Sequence, residues 1–220
     1  MWKKIVHNAW KSAEPGVLFW DTILRESVPD CYADLGYRTV STNPCGEIPL
    51  CPYDSCRLLA INLYSYVVNP FKPDAYFDFD LFKKHVALAQ RIMDDIIDLE
   101  LEKIERIMAK IDSDPENEDV KHTESVLWQK IYKKSGQGRR TGVGITAEGD
   151  MLAALGLRYG TEEATEFAEK VHQTVALSAY RSSVEMAKER GAFEVYDSER
   201  EKNNPFINRL READPEMYEE

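Results

Sequence analysis

The stretch Ser41-Thr42-Asn43-Pro44-Cys45-Gly46-Glu47-Ile48-Pro49-Leu50, followed closely by Cys51 and Cys56, decides how the rest of the chain is read. It sets a thiol between Pro and Gly, with an amide two residues before it and a carboxylate two residues after. Residues two apart on an extended segment point the same way, so Asn43, Cys45 and Glu47 are expected to face one pocket. In such a trio Glu47 suits a general base, and Asn43 can hold a hydroxyl by two hydrogen bonds. A thiol alone reads equally well as a small buried hydrophobe.

Working outward, Tyr37-Arg38-Thr39-Val40-Ser41 is rich in β-branched and aromatic residues and reads as a strand entering the loop. Residues 57–67 read as a second strand leaving it, before Pro70 and Pro73 break the pattern. The loop is therefore expected to be held at both ends. Further out the chain turns helical. Trp2, Ile5, Val6 and Trp10 predict a first helix, closed by Glu14-Pro15-Gly16, and residues 17–24 a second. From Asp80 to Ile111 apolar residues recur at steps of three and four, which predicts one very long amphipathic helix or two shorter ones. Residues 112–122 read as a solvated acidic linker, followed by a shorter helix near 124–134. Thr161, with Glu162 and Glu163 behind it, predicts the start of a further helix that stops at Gly191.

Composition narrows the function classes. The 220 residues, 43% of them hydrophobic, suffice for a real core, and a net charge of −11 argues against nonspecific binding of nucleic acid. No run approaches the roughly 18 apolar residues of a membrane span. The N-terminus lacks a signal-peptide core, and the expected location is the cytoplasm. Cys31, Cys45, Cys51 and Cys56 crowd one early window, which suits a redox or metal role better than a disulfide framework. A structural zinc site is a competing reading, although the spacings contain no C-x2-C knuckle. Gly138-Arg139-Arg140-Thr141-Gly142-Val143-Gly144 reads either as a phosphate cradle or as tight strand packing, since neither phosphate-loop pattern is present.

With these residues in view, Asn43-Pro44-Cys45-Gly46-Glu47-Ile48 resembles the finger-loop motif N-x-C-x-E of the ribonucleotide reductase catalytic (large) subunit. The Pro and Gly variant is similar to the adenosylcobalamin-dependent class II enzymes. Cys56-Arg57-Leu58-Leu59-Ala60-Ile61-Asn62-Leu63 is similar to the family's cysteine-led strand, and Gly138 to Thr146 to its later G-R-R strand. Asp150 to Gly156 and Met186 to Phe193 resemble further landmarks in the same order. The resemblance implies Cys45 as carrier of a transient thiyl radical, Glu47 as base for the 3′-hydroxyl and Asn43 as binder of the ribose hydroxyls. It implies Cys56 as one member of the dithiol that reduces the 2′-carbon. It also implies adenosylcobalamin as cofactor, a ribonucleotide as substrate, and a thioredoxin-like or other dithiol reductant as partner.

The fold so implied is α/β, a helix-rich partial segment of the ten-stranded α/β barrel. Residues 1–220 are expected to form a single partial catalytic-barrel domain, with the finger loop at 41–50 and an insertion or linker at 112–135. The second cysteine of the dithiol is expected upstream of the loop, outside this chain, as are other barrel strands. A ribonucleoside-diphosphate reductase activity is thus expected only once missing segments or a homo-oligomer complete the site. The alternatives are a noncatalytic or split-enzyme piece and a class I relative. Ala147-Glu148-Gly149 departs from the family pattern by placing an acid where an apolar residue is common.

Overall fold

The computed structural model describes residues 1–55 and 57–220; Cys56 lies outside the described residues. In chain order the first elements are α1 (Trp2–Ser12), α2 (Trp20–Glu26), a 3-10 stretch (Val28–Leu35), β1 (Ser41–Thr42) and β2 (Pro49–Leu50). Next come β3 (Arg57–Asn62), a 3-10 turn (Leu63–Tyr66), β4 (Val67–Val68), β5 (Tyr76–Phe77) and α3 (Phe79–Ser113). The remainder is α4 (Glu118–Gly138), β6 (Thr141–Thr146), α5 (Glu148–Ala154), α6 (Glu162–Arg190), α7 (Ser198–Glu201), α8 (Pro205–Ala213) and α9 (Pro215–Glu219). Two compact units divide the chain, Met1–Pro52 with Ser198–Arg209 and Tyr53–Asp197 with Leu210–Glu220.

The first unit buries Tyr32, Tyr37, Cys51 and Ile207 and is tied by polar bonds as well. Buried Asn204 donates its side-chain amide to the carbonyls of Glu26 and Ser27, at 3.4 and 3.3 Å. Its carbonyl oxygen accepts from the backbone N–H groups of Phe206 and Ile207, which satisfies donors at the start of α8. The strand expected from Tyr37 begins only at Ser41. The reason is local: the Thr39 N–H donates to Asp30 Oδ1 at 3.0 Å and its hydroxyl to Asp30 Oδ2, so that residue bonds a side chain instead of a neighbouring strand.

The second unit is built on α3, 35 residues long. Asp78 caps it by accepting from the Leu81 N–H, and Phe82, Val86, Ala89, Met93, Ile97, Ile104 and Ile111 form its buried stripe. The spacing expected from sequence thus yields one helix, not two. Against it lies a parallel pair, β3 with β6, in register from Arg57 opposite Thr141 to Asn62 opposite Thr146. Leu59, Ile61, Val143 and Ile145 turn inward and join Leu63, Tyr66, Phe77, Phe82, Met151 and Val171 in the core. Rings pack edge-on there, with Phe82 4.9 Å from Tyr66 and 5.2 Å from Phe77 between centroids.

Two expectations need correction. The strand read over 57–67 stops at Asn62, whose side chain accepts from the Tyr64 N–H and so starts a 3-10 turn that buries Leu63 and Tyr66. The polar run at 112–135 is not a linker: α3 continues to Ser113, only 114–117 connect, and α4 runs from Glu118. Asn117 caps α4 by accepting from Asp119 N–H, and the helix packs along α3, with the Tyr132 hydroxyl donating to Glu105 at 2.8 Å. Among the described residues the strands make three two-stranded sheets, and no described helix is long and apolar enough to cross a membrane.

Candidate functional site

Segment 41–50 folds back on itself as a hairpin. Ser41 pairs with Leu50 and Thr42 with Pro49, and the Asn43 N–H continues the ladder to the Ile48 carbonyl at 3.2 Å. Four residues, Pro44 to Glu47, make the tip. Within it the Gly46 N–H donates to the Asn43 carbonyl at 3.0 Å, closing a β-turn with Pro44 and Cys45 at its centre. Pro44 presets the first corner, and Gly46 takes the left-handed φ of +85° that lets the chain re-enter β2. Substitution at Gly46 meets a second obstacle, because an added Cβ would stand 3.1 Å from a Leu18 methyl.

This geometry corrects the reading of 43–47 as extended. Cys45 and Glu47 are both exposed on the tip, whereas half-buried Asn43 sits at its base. The Asn43 Oδ1 accepts from the Ile48 N–H at 2.9 Å, so the side chain closes the loop while its amide NH2 carries the donors that remain. The structure therefore brings Asn43, Cys45 and Glu47 into one hairpin with distinct stations. Cys56 is outside the described residues, and its predicted role is not addressed by their geometry. Asn43→Ala is expected to speed hydrogen exchange of the Ile48 amide by about five- to tenfold, the effect of one net hydrogen bond of roughly 1 kcal/mol. Asn43→Asp, which keeps the acceptor, is expected to leave that protection intact.

The other cysteines behave differently. Cys31 is half-buried, burial pushes its thiol up, and Asn204 donates towards its sulfur at 3.7 Å. Cys51 is buried, its Sγ 3.7 Å from the Pro52 carbonyl oxygen. Among the described residues no three His, Cys, Asp or Glu side chains gather as a metal cluster.

In the second unit the Gly138–Gly144 stretch is tied to carboxylates. Arg139 donates from Nε to Asp94 at 2.8 Å and from Nη1 to Asp98 at 2.7 Å. Burial pulls its guanidinium down, but these bonds outweigh that and hold it above arginine's already high value. Arg140 is ion-paired with Asp54. Arginines bound this way clamp β6 to α3 and to the start of β3, which favours packing over a phosphate cradle.

A residue that sequence reasoning passed over is Arg57. Its nearly buried guanidinium pairs with Glu100, donates to Ser135 Oγ at 2.8 Å and reaches the Arg140 carbonyl at 3.2 Å. It anchors the first residue of β3 to α3, α4 and the approach to β6. The only sequence signal is an arginine directly after a cysteine at a strand start. Glu148, the acid noted as out of pattern, opens α5 with its carboxylate 3.6 Å from His172 Nε2.

Comparison with known proteins places these features in a family context. The family model described as ribonucleotide reductase, barrel domain, matches residues 1–216. A vitamin B12-dependent ribonucleoside-diphosphate reductase of Thermoplasma acidophilum is 36% identical over 203 residues, covering 92% of this chain and 22% of the relative. The similarly named protein of Mycobacterium tuberculosis is 30% identical over 197 residues, 89% of this chain and 24% of the relative. A ribonucleoside-diphosphate reductase subunit alpha of Chlamydia pneumoniae is 26% identical over 200 residues, 89% of this chain and 16% of its own. The chain thus spans about a fifth of the length of the curated relatives it matches.

Proposed function

Because the chain belongs to the ribonucleotide reductase barrel-domain family, we propose that it supplies the thiyl-radical segment of a reductase making 2′-deoxyribonucleotides, acting across 1–220 as one partial catalytic-barrel piece. The observation that carries this reading is the thiol of Cys45, exposed at the apex of a turn closed by its own hydrogen bonds. A radical-bearing sulfur must reach a substrate carbon to take its hydrogen and stay in place to return it, and a short restrained tip meets both needs.

In this reading Cys45, as thiyl radical, takes the 3′-hydrogen of the ribonucleotide and becomes a thiol, leaving the unpaired electron on the 3′-carbon. Glu47 on the same tip accepts the 3′-hydroxyl proton. The Asn43 NH2 donates to the ribose hydroxyls while its oxygen keeps the loop shut. The 2′-hydroxyl takes a proton from a dithiol that includes Cys56 and leaves as water. The dithiol's two electrons and second proton put a hydrogen on the 2′-carbon and leave a disulfide. Cys45 returns its hydrogen to the 3′-carbon and becomes a thiyl radical again, and Glu47 returns its proton to the 3′-oxygen. An external dithiol of the thioredoxin type then reduces the disulfide.

The names of the relatives support adenosylcobalamin as the cofactor. An exposed tip thiol fits a cofactor that delivers its radical from outside the hairpin, and Cys45 is the residue that would meet it. When bound, adenosylcobalamin supplies the initiating radical by homolysis of its cobalt–carbon bond.

The test is reductase activity of the chain completed by the remaining reductase segments, assayed with a ribonucleoside diphosphate, dithiothreitol and adenosylcobalamin. Deoxynucleotide formation that vanishes without the cobalamin is the expected result. Activity that ignores cobalamin and requires an iron or manganese partner subunit would place the chain in class I, and no activity in either assay would sink the catalytic reading.

A further inference from the structure

The bonds of the hairpin at 41–50 fix its bend and leave its tilt open. Ser41 pairs with Leu50 and Thr42 with Pro49, and the Val40 N–H adds a bond to the Leu50 carbonyl at 2.9 Å. A two-stranded ribbon this short is marginal alone, so its direction comes from what it touches. Anchors of the first unit hold its base: Thr39 is bonded twice to Asp30, and Cys51 is buried at the exit. Cys45 rides several residues beyond them, so a small rotation at the base becomes a larger displacement of the sulfur.

Leu18 supplies a contact at the far end. Its Cδ2 methyl lies against Gly46, the residue directly after Cys45. A Cβ added at Gly46 would stand 3.1 Å from that methyl and, its chain neighbours aside, meet nothing else within 4 Å. Leu18 comes from the irregular stretch between α1 and α2 and is 48% exposed, with Val17 at 49% and Phe19 at 71%. An apolar run left that open contributes little to a core, so the seating of its methyl on the tip calls for another account. The glycine is part of the fit, because its bare Cα lets the methyl close on the turn.

We propose that Leu18 is a positioning residue of the radical site. The inference rests on the thiyl role of Cys45 set out above. The Leu18 methyl bears on the tip from one side and sets the hairpin's tilt, and with it the distance over which the Cys45 sulfur takes and returns the 3′-hydrogen. A misplacement of about 1 Å in such a geometry costs on the order of 10²-fold in rate. Leu18 acts through Gly46 and not on the substrate.

In the assembled reductase, Leu18→Ala is expected to lower kcat by about 10²-fold with KM for the ribonucleoside diphosphate unchanged. Leu18→Met, which keeps a terminal methyl in reach, is expected to recover most of that loss. The discriminating readout is the kinetic isotope effect with 3′-deuterated substrate. A sulfur held too far away makes hydrogen transfer rate-limiting, so the effect on kcat rises in Leu18→Ala. A hairpin that is merely destabilised loses active enzyme and leaves the isotope effect at its wild-type value. That unchanged value, or wild-type turnover, overturns the proposal. A second arm needs no turnover. With Cys31→Ser, Cys51→Ala and Cys56→Ser leaving Cys45 as the single thiol, a nitroxide on Cys45 is expected to gain mobility in Leu18→Ala while amide exchange at Gly46 and Ile48 keeps its rate. Unchanged mobility overturns the proposal. A wild-type reductase that makes no deoxynucleotide sinks the thiyl reading instead, and the nitroxide then decides the role of Leu18 by itself.

Discussion

In the assembled reductase, Cys45→Ala is expected to lower deoxynucleotide formation by about 10⁶-fold, the scale on which loss of the single reacting group collapses catalysis. Cys45→Ser is expected to fail as completely, although it keeps size and polarity, because an O–H bond is too strong to be cleaved and re-formed in place of S–H. The structure makes this a clean experiment. The turn around position 45 is held by Pro44, by the left-handed Gly46 and by the Gly46-to-Asn43 backbone bond, none of which involves the sulfur. Exchange protection of the Gly46 and Ile48 amides, and binding of cobalamin by equilibrium dialysis, are therefore expected to match wild type. Turnover persisting in either variant would remove Cys45 from the mechanism.

The largest stability effect is expected at Phe82. Phe82→Ala removes a fully buried ring that packs edge-on against Tyr66 and Phe77 where α3 begins. A cost of about 3–5 kcal/mol follows from lost burial and the cavity left behind. Urea unfolding monitored by circular dichroism should show it, with Tyr159→Ala, at a site 80% exposed, shifting stability by no more than about 0.5 kcal/mol. Equal effects at the two positions would mean that the aromatic cluster is not the centre of the second unit.

What the sequence disclosed, and what it hid, follows from where the determining forces act. The long helix was legible because residues 82, 86, 89, 93 and 97 repeat on one face, and burial of a helix stripe depends only on that periodicity. The cap at Thr161 was legible for a similar reason, since the Ala164 N–H that it satisfies lies three residues away. The start of α4 was hidden: the helix was read only near 124–134, because the charges of its first turns masked the pattern, although Asn117 followed by Glu118 and Asp119 is a start signal in its own right. At the tip the residues were read as a candidate site, and their shape was misread. A two-residue alternation was applied to Pro44-Cys45-Gly46, whose chemistry is that of a turn. Arg57 was out of reach altogether, because its partner Glu100 lies 43 positions away and no local rule connects them.

The hairpin has one more implication. Among the described residues, the bonds Gly46 N–H to Asn43 carbonyl, Asn43 N–H to Ile48 carbonyl and Ile48 N–H to Asn43 Oδ1 all lie within residues 43 to 48, and β1 pairs with β2. The Cys45 thiol thus rides on a bend whose hydrogen bonds are local in sequence. Sequence change elsewhere leaves those bonds in place, so it is expected to alter where the sulfur is aimed before it alters the bend that displays it.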